Sequence, residues 1–197
     1  MVEHWVVVPD TRVQFPLATH FQNISHLGGV LCYNLNMNNE ILMFEKKESA
    51  KEKLLALEAS GKYVFHGSPI KLDFLEPRQA TGYNPQTKQE EFDGEPAIFA
   101  TPKIDAAIFH CLVRRERVSG DSNLNWGTKE DGGWLFSATQ NILDAAKDSV
   151  GYIYVFDKNE FGEFDAIQGR AKKAITPLEV IEVSYKDLPA NIEILES

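Results

Sequence analysis

The stretch Tyr63-Val64-Phe65-His66-Gly67-Ser68 combines a short apolar run with polar groups at its end. Aromatic and β-branched residues favour a pleated, half-buried surface, so the run predicts a β-strand. Gly67 has no Cβ and allows a ligand to approach the backbone closely. The stretch therefore predicts a strand that presents an imidazole and a hydroxyl at a binding site. The alternative is that His66 is an ordinary structural histidine before a turn.

A second strand, followed directly by a helix, is predicted further along the chain. Ala97-Ile98-Phe99-Ala100 forms the strand, Thr101 is expected to be the helix N-cap, and Pro102 suits the first helical position. Asp105 lies near the positive end of the helix dipole. The cations of 114–117 are expected to close the helix in solvent. Helical spacing predicts one apolar face, made of Ile104, Ala107, Ile108, Cys111 and Leu112.

In this order, the two segments resemble the first two motifs of the ADP-ribosyltransferase superfamily. The first motif is a strand that ends in His-Gly-Ser or His-Gly-Thr, here His66-Gly67-Ser68. The second is a strand with an aromatic residue that leads into a helix, here Ile98-Phe99-Ala100-Thr101. The segments 151–157 and 161–165 are similar to the late strand and acidic loop of the rifampin ADP-ribosyltransferases, and 176–183 resembles their closing strand. The resemblance covers about residues 62 to 190.

The resemblance implies an α+β fold: a split antiparallel β-sheet with two or three helices, and NAD in the cleft between the halves. NAD would be the cosubstrate, nicotinamide would leave, and ADP-ribose would pass to an acceptor. His66 would bind the ribose hydroxyls, the Gly67 backbone the nicotinamide amide, and Phe99 the nicotinamide ring. Ser68 and Thr101 complete the NAD-binding set that the resemblance implies.

The residue that supplies negative charge to the reaction is left open by the sequence. The transition state is an oxocarbenium ion, which a nearby carboxylate stabilises. The acidic loop offers Glu163 and Asp165, whereas an alignment counted back from 176–178 places Gln168 there instead. Because glutamine carries no charge, the Gln168 alignment favours a degenerate domain that binds a nucleotide or a protein without efficient turnover.

The composition and charge of the chain restrict which kinds of partner are expected. The chain has 197 residues and a formal net charge of −9, so nucleic acid is an unexpected partner. The related RNA 2′-phosphotransferase branch also consumes NAD but needs an arginine and histidine cluster for phosphate, and the acidic balance disfavours it. The acceptor is expected to be a protein or a small molecule, recognised by the loops 78–96 and 119–133. Neither a basic, apolar leader nor a long apolar segment is present, so no membrane association is expected.

Cys32 and Cys111 do not have the spacing of metal ligands, and His110 beside Cys111 would point to a different side of a helix. Both cysteines are interpreted as structural, which is typical of a cytoplasmic protein or of an exported, toxin-like effector.

Two segments are expected: an N-terminal β appendage, 1–45, and an ADP-ribosyltransferase-like domain, 46–197. The appendage contains three strand candidates, with Asn38-Asn39 as a hairpin turn. The domain is expected to begin with a helix that Gly61 ends, and 71–96 is interpreted as a long polar connection. Later elements are predicted at 134–137 (strand), 138–147 (helix), 151–157, 178–184 and 191–195 (strands).

Overall fold

The computed structural model of the chain describes residues 6–7, 30–35, 41–46, 48–84, 86–92, 94–129, 132–162, 164 and 167–196. Proximity of Cα atoms divides the chain into two units, Met1–Ser49 and Ala50–Ser197. The first unit contains the strands β1 (Val6–Val7), β2 (Val30–Leu35) and β3 (Ile41–Lys46), which pair antiparallel in the order β1-β2-β3. The Asn38-Asn39 turn lies outside the described residues.

The second unit mixes helices with short strands, which confirms the predicted α+β class. Its elements are α1 (Ala50–Ala59), β4 (Tyr63–Ser68), β5 (Thr81–Asn84), β6 (Gln89–Phe92), β7 (Ile98–Ala100), α2 (Ile104–Leu112), β8 (Leu124–Thr128), β9 (Trp134–Thr139), α3 (Gln140–Ala146), β10 (Val150–Asp157), β11 (Gly169–Ala171), β12 (Glu179–Ser184) and β13 (Ile192–Leu195). Gly61, at φ +68°, follows α1 and ends it as predicted.

The described residues of this unit form four small sheets. The central sheet is antiparallel in the order β12-β10-β4, β7 pairs antiparallel with β11, and β5 with β6 forms a hairpin. In the fourth sheet, β13-β9-β8, the pair β9 and β13 is parallel. The prediction of antiparallel pairing is therefore wrong for β13, which a long crossover through α3, β10 and β12 brings alongside β9.

The central sheet is buried on both faces. On one face Phe65, Ile153 and Val155 pack in the same cluster as α2. On the other face Val64, Tyr154 and Phe156 pack with the residues of β7 and β11. This double burial explains why β10 is an almost continuous apolar run rather than an alternating one.

Helix α2 lies so close to the central sheet that two strand positions have no room for a side chain. A Cβ on Gly67 would lie 2.2 Å from the Ala107 carbonyl oxygen, and one on Gly151 would lie 2.0 Å from Cys111 Sγ. The helix is buried around nearly its whole circumference, so the predicted single apolar face is too narrow. Cys111 is fully buried, in agreement with its structural interpretation.

The start of α2 differs from the prediction. Lys103, in extended conformation at φ −110° and ψ 116°, is the N-cap, and Thr101 Oγ1 accepts a hydrogen bond from the Lys103 N–H (3.2 Å). The Ile104 N–H donates to the Glu58 carboxylate of α1 (2.8 Å). Lys103 Nζ donates to the other oxygen of Glu58 (2.9 Å). A carboxylate from another helix thus replaces a local cap, which sequence spacing could not show.

The end of α2 also differs. The helix stops at Leu112, and Arg115–Arg117 forms a separate 3-10 turn, so these cations do not close the helix. The connection 71–96 is not structureless, because it contains the β5–β6 hairpin. That hairpin lacks an apolar pattern, and Phe92 is 76% exposed. The loop 119–133 likewise contains β8. Among the described residues, no helix is long and apolar enough to cross a membrane.

Candidate functional site

The site begins where β4 and β7 separate. Phe65 and Thr101 exchange two backbone hydrogen bonds, of 2.8 and 2.9 Å. Two residues further along each strand, the same register would pair Gly67 with Phe99. The pairing nevertheless ends at Phe65 and Thr101, and the Phe99 carbonyl oxygen lies against the His66 side chain instead. On their other edges, β4 pairs with β10 and β7 pairs with β11. The two strands therefore diverge at His66, and a cleft opens between them.

The imidazole of His66 occupies the point of divergence. Its Nδ1–H donates to the Phe99 carbonyl oxygen (2.7 Å), a group that can only accept. Burial lowers the pKa of His66 and outweighs this hydrogen bond, which raises the pKa; Arg78 lowers it further. The ring is therefore neutral at pH 7, with its proton on Nδ1. Nε2 remains as a hydrogen-bond acceptor.

Two adjoining cavities, of about 320 and 410 Å³, lie on this divergence. They share one wall, which we call the shared wall: His66, Gly67, Ala80, Phe99 and Arg114. The first cavity extends past Ser68 towards Arg78 and Glu76. The second extends past Thr101 towards His110, Trp126 and Gln168.

The structure brings the sequence-predicted residues His66, Gly67 and Phe99 together on the shared wall. Ser68 lines the first cavity and Thr101 the second, but both are largely buried. The Ser68 hydroxyl accepts a hydrogen bond from the Ile70 N–H (3.3 Å), just as Thr101 Oγ1 accepts one from Lys103. Both hydroxyls thus stabilise the turns that follow their strands.

Phe99 is flanked by β11. The Arg170 guanidinium carbon lies 5.2 Å from the centre of the Phe99 ring, within the range of a cation–π contact. Gln168 precedes β11 and is half-buried in the second cavity. A Cβ on Gly169 would lie 2.5 Å from the Phe164 ring. Packing on both sides of the strand therefore positions this edge of the cleft.

Glu163 and Asp165 lie outside the described residues. Gly162, just before them, exchanges two backbone hydrogen bonds of 3.0 Å with Arg170. Along the described lining of the second cavity there is no carboxylate. The assignment of a catalytic charge to Glu163 or Asp165 stays a prediction.

Sequence reasoning missed several lining residues. Arg114 was expected in solvent at the C-terminal end of the helix, yet it lines both cavities because α2 stops two residues earlier. Trp126 was assigned to a loop, although Leu124, Asn125 and Trp126 alternate between apolar and polar side chains. That period of two was a usable signal for a strand. Arg78 and Ala80 lie in the loop 78–96 that was expected to recognise the acceptor, but neither residue was singled out.

Trp126 and His110 meet in the second cavity. Their ring centres are 4.3 Å apart at an interplanar angle of 80°, and Trp134 lies parallel to Trp126 at 6.2 Å. Desolvation by the surrounding protein, with smaller electrostatic contributions from Arg114 and His66, lowers the pKa of His110 to about 4. The residue keeps substantial solvent exposure. At neutral pH it is a polar but uncharged group.

A cysteine thiol lies behind the site. Cys111 lies behind Gly67, donates to the Ser68 carbonyl oxygen (3.0 Å), and has a pKa that burial raises to about 11. It is therefore a protonated thiol rather than a nucleophile. In the described part of the chain, no three His, Cys, Asp or Glu side chains are grouped as metal ligands.

Tyr154 of the central sheet holds two residues that line the first cavity. Its buried hydroxyl accepts a hydrogen bond from the Leu72 N–H (2.6 Å) and donates one to the Ile70 carbonyl oxygen (2.9 Å). The segment that follows Ser68 is thereby held against the central sheet.

Comparison of the chain with protein-family models, curated proteins and solved structures found no match.

Proposed function

We propose that this cleft binds NAD and that the chain has the split-sheet fold of an ADP-ribosyltransferase, transferring ADP-ribose from NAD to an acceptor. The observation that carries the proposal is the divergence of β4 from β7 at His66. It brings the His-Gly motif and Phe99 to one wall of two adjoining cavities. Both cavities have the volume of small-molecule sites, about 300 to 1,000 Å³.

The geometry suits the roles that the resemblance implies. A neutral His66 with a free acceptor at Nε2 matches a ribose hydroxyl, which donates a hydrogen bond. Gly67 leaves its backbone accessible to the nicotinamide amide, and the half-buried Phe99 ring provides a flat apolar surface for the nicotinamide ring. Ser68 and Thr101 act by holding the backbone turns at the cleft.

In the proposed reaction, the bond between nicotinamide N1 and ribose C1′ breaks, and its electron pair leaves with nicotinamide. A lone pair of the acceptor forms the new bond to C1′, and the proton of the acceptor passes to solvent. The carboxylate of Glu163 or Asp165 stabilises the oxocarbenium ion. Glu163→Gln or Asp165→Asn should then reduce nicotinamide release about 10²-fold or more while NAD still binds. Release unchanged in both variants would contradict this assignment.

A degenerate, binding-only domain is the second candidate, and the position of Gln168 in the second cavity favours it. Glutamine can hydrogen-bond a ribose hydroxyl but cannot stabilise a cation by charge. If the wild type binds NAD without releasing nicotinamide, Gln168→Glu is the informative variant. Gained hydrolysis would identify a domain that has lost its catalytic charge.

The RNA 2′-phosphotransferase reaction is a third candidate, since Arg78, Arg114, His66 and His110 all line the two cavities. The acidic net charge opposes it. Incubation with NAD and a 2′-phosphorylated RNA oligonucleotide tests it directly. Loss of the RNA phosphate would replace the first proposal with this one.

Two variants of His66 test the proposed function with a built-in control. The amide of Asn in His66→Asn can replace Nδ1 as donor to the Phe99 carbonyl but offers no acceptor where Nε2 stood. We expect a preserved melting temperature and an NAD affinity about tenfold lower, measured by calorimetry. His66→Gln keeps a polar group near Nε2 and loses the donor to Phe99, so it should lose stability more than affinity.

The outcomes separate clearly. A wild type that does not bind NAD rejects the proposed function. Equal NAD affinities of the wild type and both variants would show that His66 is not part of the site. If the wild type releases nicotinamide, mass spectrometry of a lysate incubated with labelled NAD would identify the acceptor.

A further inference from the structure

Arg114 is the one charged side chain on the shared wall, among the described residues. A single ligand that occupies both cavities must therefore pass its guanidinium. The residue reaches this position because α2 ends at Leu112 and the backbone straightens, with Val113 at φ −93° and Arg114 at φ −137°.

The guanidinium of Arg114 is available for an anion. It donates to Glu116 (3.2 Å), but the Glu116 side chain is 71% exposed, and such surface pairs contribute little. Arginine has five donors in a planar fork that matches phosphate oxygens. Exchange of one exposed carboxylate for a phosphate would therefore cost little.

The other ionisable groups of the cleft do not neutralise Arg114. His66 and His110 are uncharged at pH 7, and Arg78 adds a second positive charge at the first cavity. Glu76, also at the first cavity, is the one carboxylate among the described lining residues. In a chain with a net charge of −9, the described lining thus carries two arginines against one carboxylate, a balance that favours an anionic ligand.

We propose that Arg114 binds the anionic centre of a two-ended ligand, a dinucleotide diphosphate with one nucleoside in each cavity. The identity of the ligand as NAD rests on the proposed function, whereas the anion site rests on the position of Arg114. The half-buried indole of Trp126 and the uncharged imidazole of His110 make the second cavity suited to a planar ring rather than to the phosphates.

Calorimetry with three variants tests the proposal. Arg114→Gln removes the charge, and Arg114→Lys keeps the charge but removes the fork. Arg117→Gln is the matched control, because it removes an equal charge from the same segment at a residue that lines neither cavity. The probes are NAD, inorganic pyrophosphate and adenosine, each measured at low and high salt.

We expect Arg114→Gln to bind NAD about 10- to 100-fold more weakly than the wild type, the scale of a lost charge-assisted contact, with Arg114→Lys between the two. Adenosine should bind equally to all four proteins. Arg117→Gln should bind NAD as the wild type does. The difference between wild type and Arg114→Gln should shrink at high salt, where charge interactions are screened.

Equal NAD affinity of wild type and Arg114→Gln would overturn the proposal while leaving the proposed function intact. If the wild type binds pyrophosphate through Arg114 but not NAD, the anion site stands and the proposed function fails. If the wild type binds neither NAD nor pyrophosphate, both the anion site and the proposed function fail.

Discussion

The inner and outer walls of the cleft are built by different means. The inner wall, His66, Gly67 and Phe99, consists of strand residues fixed by backbone pairing and by a helix packed directly behind them. The outer wall consists of Arg78, Arg114 and Trp126. Arg78 forms an isolated bridge with Ala97, Arg114 follows the end of α2, and Trp126 lies in the edge strand β8. The inner wall therefore fixes the position of the cleft, and the outer wall adds the charges and the indole ring that a ligand meets there.

The largest expected loss of stability comes from a substitution in the inner wall. Gly67→Ala would force a methyl group to within 2.2 Å of the Ala107 carbonyl oxygen and 2.9 Å of Cys111 Cβ, so α2 or β4 must move. We expect the free energy of unfolding to fall by about 2 to 3 kcal/mol, at the upper end for overpacked sites. Urea denaturation monitored by circular dichroism measures it.

Gly127→Ala is the matched control for Gly67→Ala. Gly127 is also a strand glycine, but a Cβ there would meet nothing within 4 Å. Its unfolding free energy should change by no more than about 0.5 kcal/mol. Similar losses in the two variants would mean that the close approach of α2 to β4 is not what requires a glycine at position 67.

A smaller loss of stability is expected when the hydrogen bond between His66 of β4 and the Phe99 carbonyl of β7 is removed. His66→Gln removes the donor to the Phe99 carbonyl oxygen, so the unfolding free energy should fall by about 1 kcal/mol relative to His66→Asn. Urea unfolding of the two variants side by side gives this difference. If the Asn variant were the less stable of the two, the hydrogen bond would not be what closes the inner wall.

The smallest expected effect is a dependence of the unfolding free energy on pH, caused by His66 of the inner wall and by His110 beside Trp126 of the outer wall. His66 and His110 have lowered pKa values in the folded chain, so below the unfolded value of about 6.5 the unfolded chain binds more protons. The free energy of unfolding should therefore fall as the pH drops from about 7 towards the folded value of about 4 for His110. Solvent exposure of His110 limits its share.

Urea unfolding at pH 7 and pH 5 checks this dependence. The double variant His66→Asn, His110→Gln should show a flatter dependence than the wild type, because neither replacement side chain titrates. An equally steep dependence in the double variant would assign it to other groups.

The alternation and capping signals of the sequence were sufficient for most of the elements that form the inner wall. The β-branched and aromatic run at 63–65 predicted β4, the apolar run at 151–156 predicted β10, and Gly61 predicted the end of α1. These are local properties, since strand preference and a left-handed glycine depend on neighbouring residues. The α+β class followed from their order.

Tertiary structure alone decided the cap of α2, the parallel pairing of β13 and the outer wall. Glu58 caps Ile104 from a distant position in the chain, and β13 pairs with β9 through a crossover that no local pattern encodes. Arg114 reaches the shared wall because α2 ends at Leu112, although the sequence was expected to continue the helix past it. The sequence by itself determined which residues carry the His-Gly and aromatic motifs, because those are matters of local strand chemistry. Packing determined which charge faces them, because a long polar side chain is positioned by the neighbours it meets in space and not by those it follows in the chain.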